Sequence, residues 1–212
     1  MRYEKKYRIT ECSAQEVLQV LWHHPMSFRK AYPDRRINSL YFDSPDLQSL
    51  QENQAGISQR RKYRIRWYGE ELYQVKKPKL EIKIRNNQFG RKELIDLPDF
   101  DLRDPRVLEG LSREHVPEDL RPSVLTRYKR AYFQSQSARL RATVDTEVCY
   151  YGFKEFHLLP MPHRDEAIIL EMKCAKEDAK LLKEANQQVP FRITKNSKYV
   201  NGVMAVNGLV VN

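Results

Sequence analysis

Arginine and lysine recur at every second position along several short segments, and few backbone conformations give that period a purpose. In QRRKYRIRWYG, Arg60, Lys62, Arg64 and Arg66 alternate with Tyr63, Ile65 and Trp67. Successive side chains of a strand point to opposite faces of its sheet, so one face here is basic and the other apolar. The split recurs in KLEIKIR, with Glu81, Lys83 and Arg85 opposite Leu80, Ile82 and Ile84, and in ARLRATVD, with Arg139, Arg141 and Asp145 opposite Leu140, Ala142 and Val144. It recurs again in the first segment (Arg2, Glu4, Lys6, Arg8) and in the last (Glu171 and Lys173 against Leu170 and Met172). A solvated sheet face mixes Ser, Thr, Gln and both charge signs. Basic residues at alternate positions on at least five strands repel one another, a cost that a bound anion offsets.

Segments of this kind, bounded by turn residues, fall at about 2–9, 36–43, 59–68, 79–86, 91–97, 122–133, 139–148 and 166–174. Helical patterns fall at about 13–23, 46–54, 178–188 and 197–206, the first with Ser13 and Glu16 spaced as a capping box. Strands between helical ends predict an α+β chain. Eight strands closing into an antiparallel β-barrel with flanking helices would put the basic faces in a lumen sized for one small ligand. No repeat or linker divides the chain, and residues 1–212 read as one domain.

The formal net charge of +10 favours a polyanionic partner: nucleic acid, an anionic membrane or a phosphorylated small molecule. Alternate strand positions are not the exposed-aromatic or helix-borne patches that read nucleic acid, so no nucleic-acid partner is expected. No run of eighteen apolar residues and no signal-like start occur, which predicts no membrane segment and a cytoplasmic setting. Cys12, Cys149 and Cys174 are too few and too scattered for a disulfide framework or a zinc site. GxxxxGK[ST], GxGxxG and GxSxG are absent, which removes P-loop, Rossmann and hydrolase-elbow readings. No protein partner is predicted.

Eight short motifs in register resemble a known family. They are Arg2-x-Glu4-x-Lys6-Tyr7, Ser39-Leu-Tyr-Phe-Asp43, Lys62-Tyr-Arg64-Ile-Arg66-x-Tyr68, Leu80-Glu-Ile-Lys83, Arg127-Tyr-Lys-Arg130, Arg139-Leu-Arg141-x-Thr-x-Asp145, Leu170-Glu-Met-Lys173 and Lys195-Asn-Ser-Lys198-Tyr199. Together they resemble the VTC (polyphosphate polymerase) domains of the triphosphate tunnel metalloenzyme, or CYTH-like, superfamily. The resemblance implies a tunnel of eight antiparallel strands that holds a triphosphate among basic side chains, with Mn²⁺ or Mg²⁺ on acidic ones. It implies Lys6, Arg64, Arg66 and Lys83 as catalytic residues and Arg2, Arg130, Arg141, Lys195 and Lys198 as further phosphate ligands. Glu171 is the implied metal ligand, with Glu4 and Glu81 as additional or supporting candidates. Arg2 stands where the wider superfamily often has a glutamate, which favours the polymerase branch.

Two points stay open at this level. The fifth strand matches the family's basic strand poorly, and either Arg91 or Lys92 would supply its ligand. Each of Glu4, Glu81 and Glu171 precedes a same-face lysine by two residues and reads equally as a charge partner that orients it. The implied partners are ATP, pyrophosphate, triphosphate or polyphosphate. The expected activity is transfer of the ATP γ-phosphoryl group to polyphosphate, with a triphosphate or polyphosphate hydrolase, or a non-catalytic polyanion-binding module, as alternatives.

Overall fold

The computed structural model describes residues 2–86 and 89–209; the side chains of Arg2 and Phe89 lie outside the described residues. In chain order the elements are β1 (Arg2–Ile9), α1 (Ala14–Trp22), β2 (Arg29–Asp43), α2 (Gln48–Gln54), β3 (Gln59–Tyr68), β4 (Gln74–Val75), β5 (Lys79–Asn86), β6 (Phe89–Asp96), β7 (Phe100–Asp101) and α3 (Pro105–His115). Then follow β8 (Arg121–Gln134), β9 (Leu140–Lys154), β10 (His157–Leu158), β11 (His163–Asp165), β12 (Ile168–Ala175), a 3-10 turn at Lys176–Asp178, α4 (Ala179–Gln187) and α5 (Lys198–Val206). The eight expected strands are β1, β2, β3, β5, β6, β8, β9 and β12, and the four expected helices are α1, α2, α4 and α5. The chain is α+β, and β1 with β12, β12 with β9, β2 with β3, β3 with β5 and β5 with β6 all pair antiparallel.

The main sheet runs β1-β12-β9-β8-β2-β3-β5-β6. Among the described residues no ladder joins β6 to β1, so the sheet does not close as the expected barrel. Alternation assigns residues to faces, but closure depends on strand stagger and tilt, which a period of two does not encode.

The chain divides into two compact units, each assembled from three stretches of sequence. The first comprises Met1–Arg35, Tyr128–Val148 and Asp165–Asn196. Its core gathers Tyr7, Ile9, Val17, Leu21, Leu140, Ala142, Val144, Leu170, Met172 and Leu182, the apolar alternates of β1, β9 and β12 covered by α1 and α4. Helix α1 starts as its sequence dictates: the Ser13 hydroxyl accepts from Glu16 N at 3.3 Å and Glu16 Oε2 accepts from Ser13 N at 2.7 Å. The edge of β1 is covered by the chain itself. Tyr7 bridges Ile193, Thr194 N donates to Lys6 O at 2.8 Å, and Arg8 N donates to Thr194 Oγ1 at 3.0 Å.

The second unit comprises Arg36–Arg127, Cys149–Arg164 and Ser197–Asn212. Leu40, Phe42, Tyr63, Ile65, Trp67, Leu80, Ile82, Leu108 and Leu125 form its core. Helix α3, absent from the helices expected of the sequence, seals it with Leu108 and Leu111. Its start signal is present: Asp104 Oδ1 accepts from Arg106 N at 3.0 Å, with Pro105 opening the helix. Gly110 and six charged or polar residues leave only a single i, i+3 leucine pair, too little periodicity to register. Strand β2 starts seven residues earlier than expected because its exposed first half, RKAYPDRR, has no alternation and contains Pro33. Among the described residues no helix is long and apolar enough to cross a membrane.

Candidate functional site

In the first unit, strand register sets out a grid of charge. One cross-strand row is Lys6, Glu171 and Thr143; the next is Glu4, Lys173 and Arg141. Glu171 is buried, and three cations reach it: Lys173 Nζ at 3.1 Å, Lys6 Nζ at 3.7 Å and the Arg130 guanidinium at 3.9 Å. Arg130 is fixed from behind, donating to both oxygens of fully buried Asp145 at 2.5 and 2.7 Å and lying 5.2 Å from the Tyr128 ring centre. Burial opposes the Arg130 charge, but Tyr128, Asp145 and Glu171 more than offset it and hold the group well above its ordinary range. Asp145 is thus the residue that orients Arg130. Lys6 also lies 2.9 Å from Glu4 and donates to Asn196 O at 3.2 Å.

Burial alone would raise the Glu4 carboxyl, yet a hydrogen bond with Glu171 and the charges of Lys6 and Lys173 bring it down to about 2. Two carboxylates on one face need cations between them, and Lys6 (2.9 and 3.7 Å) and Lys173 (3.7 and 3.1 Å) each reach both Glu4 and Glu171. Among the described residues no cluster of three or more His, Cys, Asp or Glu side chains gathers to hold a metal. Two hard oxygen donors fit Mg²⁺ or Mn²⁺, whose remaining positions water and phosphate oxygens complete.

In the second unit the rows are Tyr41–Arg64–Glu81, Ser39–Arg66–Lys79, and Lys62–Lys83–Lys92. Buried Glu81 is the hub. Arg64 Nε donates to it at 2.6 Å, Lys92 Nζ donates at 2.6 Å, and the Arg66 guanidinium stands 3.8 Å away. Arg64 also donates to Tyr41 Oη at 2.9 Å and Arg66 to Ser39 Oγ at 3.1 Å. Both Glu81 oxygens are thus engaged by cations, an arrangement that orients arginines and leaves little room for a metal. The register places Lys92 beside Lys83 on the basic face and Arg91 opposite Ile84 on the other, where Arg91 pairs with Glu93.

Lys198 opens α5, capped by Ser197, and its charge bears on Tyr41. Tyr199 fixes that end of the helix: its hydroxyl donates to Asp43, and Lys62 Nζ lies 4.6 Å from its ring centre. The structure therefore gathers Arg64, Arg66, Glu81, Lys83 and Lys198 in one unit and Glu4, Lys6, Arg130, Arg141 and Glu171 in the other. Lys195, adjacent to Asn196 in the first unit, is exposed, as is Arg141. The side chain of Arg2 lies outside the described residues. Tyr41, Ser39 and Asp43, read from sequence only as parts of a motif, are the supports that hold the arginines and α5.

The Glu81 carboxyl is raised by burial but lowered further by Arg64, Arg66 and Lys92, to about 2 from an ordinary 4.5. A carboxylate held below its unfolded value contributes stability that is present above pH 4.5 and is lost as pH falls toward 2. Glu4 adds a smaller, partly exposed contribution of the same sign. The expected result is a urea midpoint that is level from pH 7 to 5 and falls progressively between pH 4.5 and 2, measured by fluorescence.

Comparison with protein families matches the model described as "VTC domain" over residues 1–207. The chain belongs to the VTC domain family. Solved structures resemble this VTC domain in fold at low identity. A candidate adenylyl cyclase from Hippeastrum, described as having a dominant triphosphatase activity, is 18% identical with a TM-score of 0.54, covering 100% of this chain and 98% of that one. The PH1819 protein from Pyrococcus horikoshii is 10% identical with a TM-score of 0.54, covering 97% and 98%. A candidate adenylate cyclase from Vibrio parahaemolyticus is 11% identical with a TM-score of 0.52, covering 94% and 97%. No curated protein matches this chain.

Proposed function

We propose that this VTC domain binds triphosphate or polyphosphate together with Mn²⁺ or Mg²⁺ and transfers the γ-phosphoryl group of ATP to the end of a polyphosphate chain. One observation carries the reading. Lys62, Lys83 and Lys92 stand directly opposite one another on three adjacent strands, beside the Arg64–Glu81 pair. Like charges so placed destabilise a sheet by roughly 0.2–1 kcal/mol per pair, and a phosphate anion seated on them reverses the sign.

Phosphoryl transfer asks a protein chiefly for positioning and for cations around the transferring group. Arg64 and Arg66 present planar forks suited to two-point phosphate contact, held in orientation by Glu81, Tyr41 and Ser39. Lys62, Lys83, Lys6 and Lys198 act as point charges, and Arg130 is presented rigidly by Asp145. Arg2, Arg141 and Lys195 are assigned as further phosphate ligands. The terminal oxygen of the acceptor chain attacks the γ-phosphorus, the bond from that phosphorus to the β–γ bridging oxygen breaks, and ADP leaves. Glu171 and Glu4 are the residues assigned to the divalent ion, which supplies charge neutralisation on the transferring group.

Incubating the purified protein with ATP and Mn²⁺ and resolving products by gel tests this reading: a ladder of polyphosphate is expected. Orthophosphate alone would instead establish hydrolysis, the activity described for the Hippeastrum protein, and binding without turnover would establish a polyanion-binding module. Ligands of the folded state raise its stability by mass action, about 2.7 kcal/mol at a hundredfold excess over Kd. Tripolyphosphate at that level should therefore raise Tm by about 5–10 °C, whereas adenosine should leave it unchanged. An equal shift with adenosine, read by scanning fluorimetry, would show that base recognition dominates.

A further inference from the structure

Thr143 carries a buried hydroxyl with no hydrogen-bond partner. Buried polar groups left unpaired are rare and costly, and Thr143 shares that state with Arg8 Nε and Thr126 Oγ1 among the described residues. The place of Thr143 in the sheet supplies a reason. Thr143 lies directly opposite Glu171 on the neighbouring strand, in the row that begins with Lys6. Residues so paired share a face, with Cβ atoms about 5 Å apart. The alternates of the same strand, Ala142 and Val144, are in the core, so Thr143 stands with Arg141 and Asp145 on the opposite, charged face.

We infer that the Thr143 hydroxyl is a third oxygen ligand of the divalent ion assigned to Glu171 and Glu4, an inference that rests on the proposed function. Magnesium and manganese take hard oxygen donors, and a neutral hydroxyl adds one without further charge beside an anionic substrate. The cations now resting on Glu171 at 3.1–3.9 Å are long, flexible lysines and one arginine. Phosphate oxygens compete for those ammonium groups, and their withdrawal exposes Glu171, which Thr143 faces across the strand pair. The hydroxyl is a cost to the free protein that the bound ion recovers.

This arrangement gives two readouts of opposite sign. Thr143→Val keeps the shape and removes the unpaired oxygen, so Tm without ligands should rise by about 2–4 °C. Affinity for Mn²⁺ alone, followed by loss of the free-ion paramagnetic resonance signal, should fall roughly tenfold, by analogy with the loss of other metal-supporting contacts. Thr143→Ser should restore Mn²⁺ affinity. Metal-free tripolyphosphate binding should be unchanged in both variants. Wild-type Mn²⁺ affinity in Thr143→Val, or a lowered Tm, overturns the inference while leaving the proposed function intact if Glu171→Gln still weakens Mn²⁺. Absence of Mn²⁺ binding to the wild-type protein overturns both.

Discussion

Glu171→Gln should reduce turnover of ATP by roughly a hundredfold or more while leaving the fold intact. The substitution keeps the size of the side chain and its capacity to accept from Lys173 and Lys6, but removes the charge that a divalent ion needs. Loss of one preorganised electrostatic partner of the transferring group typically costs factors of 10²–10³, or about 3–4 kcal/mol of barrier. The same change takes a negative charge off a face otherwise ringed by Lys6, Lys173 and Arg130, so metal-free polyphosphate should bind as well or more tightly. Calorimetry with metal-free polyphosphate and product formation with Mn²⁺ separate the two effects. Intact turnover would make Glu171 an orienter of lysines and move the metal to Glu4.

Glu81→Ala is expected to act on stability before activity. Glu81 is buried and neutralises Arg64, Arg66 and Lys92, and removing one member of such a cluster leaves the others desolvated and uncompensated. Breaking a fully buried pair costs 3–5 kcal/mol; with Lys92 about half exposed, about 3 kcal/mol is the appropriate figure. For a chain of this length that lowers Tm by about 6–12 °C. An anion should substitute for the lost carboxylate, so tripolyphosphate should recover much of the deficit, and its stabilising increment should exceed that seen in the wild type. A deficit that tripolyphosphate leaves unchanged would show that Glu81 supports packing and not the phosphate-binding cations. The acid sensitivity between pH 4.5 and 2 should flatten in the same variant, because the carboxylate responsible for most of it is gone.

Faces were legible in the sequence, and stagger was not. Alternation in KYRIRWY and LEIKIR assigns Arg64, Arg66 and Lys83 to one side and Ile65, Trp67 and Ile82 to the other, as the register and the core confirm. The same period cannot say whether the last strand returns to the first, and the expected closure is not in the ladder. Register also distinguishes Lys92 from Arg91: a one-residue shift exchanges faces, and GRKELIDL has too little contrast between alternate positions to fix it. The acidic residues were hardest to read. Glu81 and Glu171 have the same local pattern, a glutamate two residues before a lysine on a basic face. Only the cations reaching them from other strands, Lys92 and Arg64 for one and Lys6 and Arg130 for the other, tell them apart. Thr143 had no sequence signal at all, since an alternating threonine is an ordinary strand residue.

The segment that covers β1 has a consequence for how the molecule behaves in a crowded solution. An outermost strand with bare amides and carbonyls is a template on which a second chain can build, and proteins suppress that outcome deliberately. Here the suppression comes from Ile193 and Thr194, directly ahead of Lys195 and of Asn196, whose carbonyl accepts from Lys6. Colloidal behaviour and the proposed phosphate site thus hang on the same four residues. Changes at 193 and 194 will be felt first as self-association and lost yield, and only among the molecules that remain soluble as altered affinity.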